Sequence, residues 1–283
     1  MKFITSRDNP LFRQLIRLEK SARQRRAAGL TLLDGVHLIS AYRLAIGQPK
    51  SLVVSESGCE NEDIKRLLAE RGTGTEADVF VLREALFREA SPVETPTGIM
   101  ALITIPSAAT VPIHKGDRGD NFRVLLEAIQ DPGNLGSILR SAAASGASDV
   151  HLSGGCADAW SPKTLRAAMG AHFLLRIHEQ SNLVDVARTF SGKVIATIPR
   201  SKISLYQTRL TGPIAFVFGN EGVGLSDAVL QTTSEQVSIP MQSGTESLNA
   251  AAAAAVCFFE RVRQRKMGAG CMVYENEANE MSD

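Results

Sequence analysis

The sequence predicts an α/β protein in two parts: a C-terminal, mostly parallel sheet with helices on both faces, and a smaller N-terminal α/β domain. Three observations lead there. The chain has 283 residues, more than one average domain holds. Short apolar runs alternate with helix-length segments along both halves. Runs such as Ile214–Phe218, bounded by proline and glycine, have the pattern of strands buried on both faces. One polar stretch, Pro106–Asn121, contains prolines and glycines, lacks periodicity and separates the halves. The division expected is a domain over 1–107, a linker over 108–121, a second domain over 122–267 and an acidic tail over 268–283.

The first domain opens with an amphipathic helix over Pro10–Ala28, capped by Asn9, with Leu11, Leu15 and Leu18 on one face. Strands are expected at Leu30–Leu33, Ser51–Ser55, Val79–Leu82 and Gly98–Ile105. Helices fall at Val36–Ile46 and Asp63–Glu70, with a helical turn at Leu86–Ala90. The second domain reads as strands at Arg123–Ile129, Asp149–Leu152, Phe173–Ile177 and Val194–Ile198. Its helices are Asn134–Ala144, Pro162–Met169 and Leu183–Phe190. Two strand-then-turn units follow: Ile214–Phe218 into Gly219–Ser226, and Val237–Met241 into Glu246–Asn249. A helix from Ser247 to about Lys266 ends the domain.

Composition narrows the function. An apolar fraction of 44% and a charged fraction of 22% allow an ordinary globular core. The net charge of +1 is uninformative, but residues 1–30 hold eight basic and two acidic side chains. That arm is a candidate phosphate-contacting surface, or else a solvated helix face. The four cysteines are dispersed, which fits a reducing cytoplasm and gives no zinc signature. The N-terminus shows no secretory signal, and Ala250–Phe259 is too short to span a bilayer. A soluble cytoplasmic protein with no membrane partner is expected. The five histidines show no paired ligand spacing, so no metal is expected.

No NTPase P-loop and no nucleophile elbow is present, and Gly219–Gly224 reverses the spacing of a dinucleotide fingerprint. Arg71–Thr75 lies between a helix and a strand, the wrong order for such a loop. Three polar, glycine-marked segments remain at the ends of predicted strands, where open α/β sheets bind ligands. The first, Asp131–Arg140, offers Asn134 and Arg140; six residues apart, they do not stack, so Arg140 must reach back along its helix. The second, Gly219–Ser226, offers Asn220 and Glu221 beside Gly219. The third offers Ile239, Met241, Ser247, Leu248 and Asn249. Asn134 and Ser247 also fit as plain helix caps, and Arg140 and Glu221 as solvated charges.

Taken together, the segments resemble the three ordered motifs of the SpoU (TrmH) branch of the SPOUT RNA methyltransferases. The matches are N-x-G-x-x-x-R at Asn134–Arg140, F-G-N-E-x-x-G-L-S at Phe218–Ser226, and I-P-M followed by S-L-N at Ile239–Asn249. The match covers roughly Phe122–Arg265. The first hundred residues are similar to the ribosomal-protein-L30e-like substrate-binding domain, on the α/β pattern and Leu33–His37, where relatives usually carry Glu-Gly.

The resemblance implies transfer of a methyl group from S-adenosylmethionine to a ribose 2′-hydroxyl of structured RNA, ribosomal RNA being favoured over transfer RNA. It also implies a trefoil knot and a homodimer formed through the C-terminal domain. Gly219, Ile239 and Leu248 would hold the cofactor mainly by backbone groups, with Met241 and Asn249 nearby. Arg140 stands at the catalytic arginine position, Asn134 helps place it, and Glu221, Ser247 and Asn249 line the same site. A guanidinium is normally always protonated and an unusual base; the family's answer is assistance from RNA phosphate. One departure is Ala250–Ala255 after Ser-Leu-Asn, where relatives place Val and a small polar residue. Other readings of the same fold are a non-catalytic RNA-binding or ribosome-assembly protein, and an RNA base methyltransferase.

Overall fold

The computed structural model describes residues 1–70, 77–93, 95–111 and 121–268. The Arg71–Thr75 loop, most of the expected linker and all but the first residue of the acidic tail lie outside these described residues. In the first half the elements are β1 (Lys2–Ile4), α1 (Pro10–Lys20), α2 (Ala22–Ala28), β2 (Leu30–Asp34) and α3 (Val36–Ala45). After them come β3 (Ser51–Ser55), α4 (Glu62–Ala69), β4 (Asp78–Leu82), α5 (Glu84–Ala90) and β5 (Ile99–Thr104). They form a sheet of order β1-β4-β3-β5-β2, in which β5 runs antiparallel to both neighbours.

The single helix expected over Pro10–Ala28 is two. Ser21 is extended, with φ −133° and ψ 112°, and its hydroxyl accepts from Gln24 N to start α2. A serine side chain that can take a backbone N–H competes with helix continuation, and here it wins. Asn9 caps α1 as expected, accepting from Leu11 N at 2.9 Å. Phe12, Leu15 and Leu18 are buried against Leu32, Val53 and Phe87, so the opposite face of α1 is left to its cations.

The second half contains β6 (Phe122–Leu126), α6 (Pro132–Ala144), β7 (Asp149–Leu152), α7 (Pro162–Ala168), β8 (Arg176–His178) and α8 (Leu183–Thr189). It continues with β9 (Lys193–Thr197), β10 (Ile214–Phe218), α9 (Asp227–Leu230), β11 (Glu235–Val237) and α10 (Ala250–Gly268). The sheet has the order β11-β9-β10-β6-β7-β8 and is parallel throughout. Val124 and Phe216 face one apolar cluster with α6 and α10, while Leu125 and Val217 face another with α8 and α9. Both faces are thus covered, as the continuous apolar strands require.

Three expected boundaries shift. Phe173–Ile177 is not one strand: Ala171–Phe173 is a 3-10 turn and β8 spans only Arg176–His178. Phe173 is drawn into the core, meeting Tyr42 of α3 edge-on at 5.3 Å. The strand expected over Val237–Met241 ends at Val237, since Pro240 has no N–H to give a ladder. The last helix begins at Ala250, and the Asn249 carboxamide caps it by accepting from Ala251 N at 2.9 Å.

Polar contacts tie the halves together, among them Arg26 with Glu179 at 3.8 Å. Thr31 Oγ1 on β2 donates to Trp160 O at 2.6 Å, and Arg25 on α2 meets Asp158 at 2.5 Å with both side chains buried. No described helix is long and apolar enough to cross a membrane. Chain order places the functional crevice. From β6 the chain moves outward to β7 and β8, then returns on the other side to β9 and β10. The strand order therefore reverses between β6 and β10. Leu126 and Phe218 are paired in register there, so the loops leaving both strands emerge side by side.

Candidate active site

The two loops are laced together at that point. Glu127 N donates to Phe218 O at 2.9 Å, and the Glu127 carboxylate accepts from Ser226 N at 2.8 Å and Ser226 Oγ at 2.7 Å. Asn220 Nδ2 donates to Ala128 O at 2.8 Å, while its Oδ1 accepts from Gly222 N and Val223 N. Ala128 holds this position with φ 53°, and its own N–H donates to Ser153 Oγ at 2.9 Å. A Cβ on Gly219 would lie 2.4 Å from the Gly224 carbonyl carbon. The glycine is therefore demanded by closure of the loop on itself, where the sequence alone read it as room for a ligand.

The first segment joins the second and third through one side chain. Asp131 caps α6, its Oδ1 accepting from Asn134 N at 2.8 Å, which leaves the Asn134 carboxamide free. That carboxamide donates from Nδ2 to Glu221 Oε1 at 3.0 Å and accepts at Oδ1 from Asn249 Nδ2 at 2.9 Å. Asn249 in turn caps α10 with its oxygen. Gln130 N faces the second Glu221 oxygen at 3.5 Å. The alternative of Asn134 or Ser247 as the helix cap is replaced by Asp131 and Asn249.

Not every candidate is drawn in. Arg140 lies on α6 exposed to solvent, with no hydrogen bond or ion pair among the described residues. Ser247 is exposed and likewise without a hydrogen bond among the described residues. Ile239 and Met241 are half-buried and Leu248 is 39% exposed. Across residues 239–248, the one backbone hydrogen bond among the described residues runs from Thr245 N to Gln242 O at 3.3 Å. Free N–H and C=O groups beside a paired Asn134 and Asn249 form a rim that can bind a ligand by its polar edges. The Glu221 carboxylate gives the rim negative charge suited to a cationic centre. S-adenosylmethionine has both properties.

Sequence reading missed Glu127, Asp131 and the structural weight of Asn220. The signal for Glu127 was an acid directly after a buried strand, and for Asp131 the Asp-Pro pair that opens α6. It also missed a cluster on the far face. Parallel pairing of β7 with β8 sets His151 opposite His178, so Asp149, His151 and His178 offer ligand atoms within 4.8 Å of one another. His178 Nε2 lies 2.9 Å from Asp149 Oδ1, and Arg176 takes the other oxygen at 2.5 Å. The two imidazoles stack at 4.4 Å with planes 9° apart, so their nitrogens do not converge on one in-plane ion. Burial, with His178 beside it, pushes His151 down to about 4. Burial raises the Asp149 carboxyl, but hydrogen bonds from His178, Ser148 and Arg176 outweigh it and hold that carboxyl below its usual range.

The parallel sheet with its crevice at the β6–β10 reversal, where Asn134, Glu221 and Asn249 meet, has the form of an open α/β sheet that takes a ligand at its strand ends. The chain belongs to the SpoU rRNA methylase family, whose model matches residues 121–259. It is 33% identical to an uncharacterized tRNA/rRNA methyltransferase of Synechocystis, over 93% of this chain and 94% of that one. It is 30% identical to the 23S rRNA (guanosine-2′-O)-methyltransferase RlmP of Bacillus subtilis, over 92% of this chain and 98% of that protein. The structure of AviRb from Streptomyces viridochromogenes with its cofactor AdoMet superposes with a TM-score of 0.78 at 28% identity. That match covers 92% of this chain and all of the other.

Proposed function

We propose that this protein transfers a methyl group from S-adenosylmethionine to a ribose 2′-hydroxyl of ribosomal RNA. The observation that carries this reading is the hydrogen-bonded junction of Asn134, Glu221 and Asn249 at the sheet's reversal point, with Arg140 one helix face away. S-adenosylmethionine supplies an activated methyl on a sulfonium. The chain's own residues do the rest. Gly219, Ile239 and Leu248 hold the cofactor by backbone, with Met241 against it. Asn134, fixed at both ends of its amide, keeps Glu221 turned toward the crevice. Arg140, exposed and without a carboxylate partner among the described residues, is available to an RNA phosphate and to the hydroxyl that must lose its proton as it attacks. Ser247 sits on the same rim.

Ribosomal RNA is favoured because the relative from Bacillus subtilis is named for a 23S rRNA ribose position. Residues 1–107 serve as the RNA-docking domain and 122–267 as the catalytic domain, which pairs with a second copy. The test is direct. Ribosomal RNA lacking the modification is incubated with the protein and methyl-labelled cofactor, then digested to nucleosides. A labelled 2′-O-methylribose supports the reading; label on a base with unmodified ribose, or none, overturns it.

A further inference from the structure

We infer that Lys163 and Arg166 of α7, together with Arg140 of α6, form a contact surface for the sugar-phosphate backbone of the substrate RNA flanking the modified nucleotide. The inference rests on the RNA reading above. It starts from Gly136, where α6 and α7 cross. A Cβ there would stand 2.5 Å from Ala167 Cβ and 2.7 Å from Thr164 O, so the helices touch backbone to backbone. Arg140 lies one turn beyond Gly136 on the same stripe of α6. The side of α6 that carries Arg140 is therefore the side on which α7 packs.

Charge marks this helix pair. Across α6 and α7 there are three cations, Arg140, Lys163 and Arg166, and no acidic residue. All three are exposed, and none has an ion pair among the described residues. Some exposed cations elsewhere find carboxylates, Lys2 with Asp78, Arg7 with Glu89 and Lys65 with Glu62, while Arg17, Lys20 and Arg23 of α1 and α2 are, like these three, exposed and without an ion pair among the described residues. Asp34 on β2, a buried carboxyl already faced by the Thr97 hydroxyl at 3.4 Å, feels the Arg166 charge as a lowering influence but makes no ion pair with it among the described residues. Unmatched like charges on packed helices repel, a cost that an anionic partner removes.

Position supplies the second reason. The segment bearing α7 is the seam between the halves: Trp160 takes the Thr31 hydroxyl, and a Cβ on Gly170 would stand 3.0 Å from Ala41 Cβ of α3. RNA held by the first half and delivered to Arg140 passes over this seam. Exposed cations of this kind contact phosphate and read backbone spacing and shape.

The experiment uses the full-length protein and an rRNA fragment that it methylates. Binding of that fragment is measured across a potassium chloride series for wild type, Lys163→Gln, Arg166→Gln and the double variant. Expected is roughly tenfold weaker RNA affinity in the double variant at moderate salt, with the salt slope smaller by about 0.7 to 0.9 per residue. S-adenosylmethionine affinity by calorimetry stays at the wild-type value. Unchanged RNA affinity and slope in the double variant, with wild type active, overturns the assignment. Weaker binding at an unchanged slope also overturns it, since that pattern marks lost packing. A change in oligomeric mass on sedimentation would make the patch an interface between copies and overturn it too. Lys163→Glu, which reverses the charge, should lose more affinity than Lys163→Gln. If wild type neither binds nor methylates RNA, the functional reading fails first and this surface with it.

Discussion

The Asn134 carboxamide donates to Glu221 at 3.0 Å and accepts from Asn249 at 2.9 Å, so a single amide joins three segments of the crevice. A hydrogen bond to an ionised group contributes roughly 1.5–3 kcal/mol. Asn134→Asp would replace that donor with a second carboxylate against Glu221. Methyl transfer should fall by about a hundredfold or more, in line with a lost charge-assisted contact plus repulsion. Partial recovery is expected as pH is lowered and one carboxyl takes a proton. Single-turnover assays across pH check this, and a near-wild-type rate at neutral pH removes Asn134 from the site.

Arg140→Ala should leave S-adenosylmethionine affinity within about twofold of wild type, because the side chain touches none of the cofactor rim, yet cut transfer by about a thousandfold. Arg140→Lys keeps the charge without the planar fork and should recover only part of the rate. Calorimetry paired with labelled transfer separates the two effects. Retained transfer in Arg140→Ala would take the residue out of the mechanism.

Gly136→Ala pits two effects against each other. Alanine gains up to about 1 kcal/mol of helix propensity over glycine. The new methyl, however, would sit 2.5 Å from Ala167 Cβ and 2.7 Å from Thr164 O, neither of which can rotate away. Overpacking costs about 1–3 kcal/mol. The steric cost wins, so the midpoint of chemical denaturation should fall. An unchanged or raised midpoint would show that α7 can move aside.

Removing one partner of the Arg25–Asp158 pair strands a buried charge. Asp158→Ala should cost about 3–5 kcal/mol. The combined change of Arg25→Met and Asp158→Leu should recover much of that, since apolar replacements need no desolvation repayment. Asp158 also accepts from Trp160 N, so some loss will persist. A double variant no better than Asp158→Ala would show that the ion pair itself holds the halves in place.

Burial pushes the Asp34 carboxyl from 3.8 up to about 6, against the lowering influence of Thr97 and Arg166. The folded state therefore holds this proton more tightly than the unfolded chain. The stability so gained is complete below about pH 4 and lost as pH rises through 6. Asp34→Asn removes the penalty, so it should raise stability at pH 7.5 by about 2 kcal/mol, a gain that shrinks toward zero near pH 4. Urea titrations at both values test it; a pH-independent difference would contradict this account.

Much of this was legible in the chain. The parallel strands announced themselves as unbroken apolar runs such as Ile214–Phe218, and the three motifs named Asn134, Glu221 and Asn249. Less visible was how those residues use their bonds. Local spacing suits Asn134 equally to capping its own helix, and only the Asp131 contact decides otherwise. The break at Ser21 was hidden because a serine mid-pattern is compatible with either outcome. Pairing between distant strands was invisible to any local window, so His151 and His178 looked unrelated until β7 and β8 were aligned. Spacing within Asp131–Arg140 could not show whether Arg140 meets the other segments, and in the fold it makes no hydrogen bond or ion pair to them among the described residues.

The contact between Asn249 and Asn134 spans 115 positions of sequence. During synthesis Asn134 emerges long before its partner. At roughly 5–20 residues per second, that gap is on the order of 6 to 23 seconds. Throughout that interval the amide has nothing on one side to hold it, and α10, which Asn249 starts, does not yet exist. The ribosome must therefore pass Asn249 before one amide can join the three segments of the crevice.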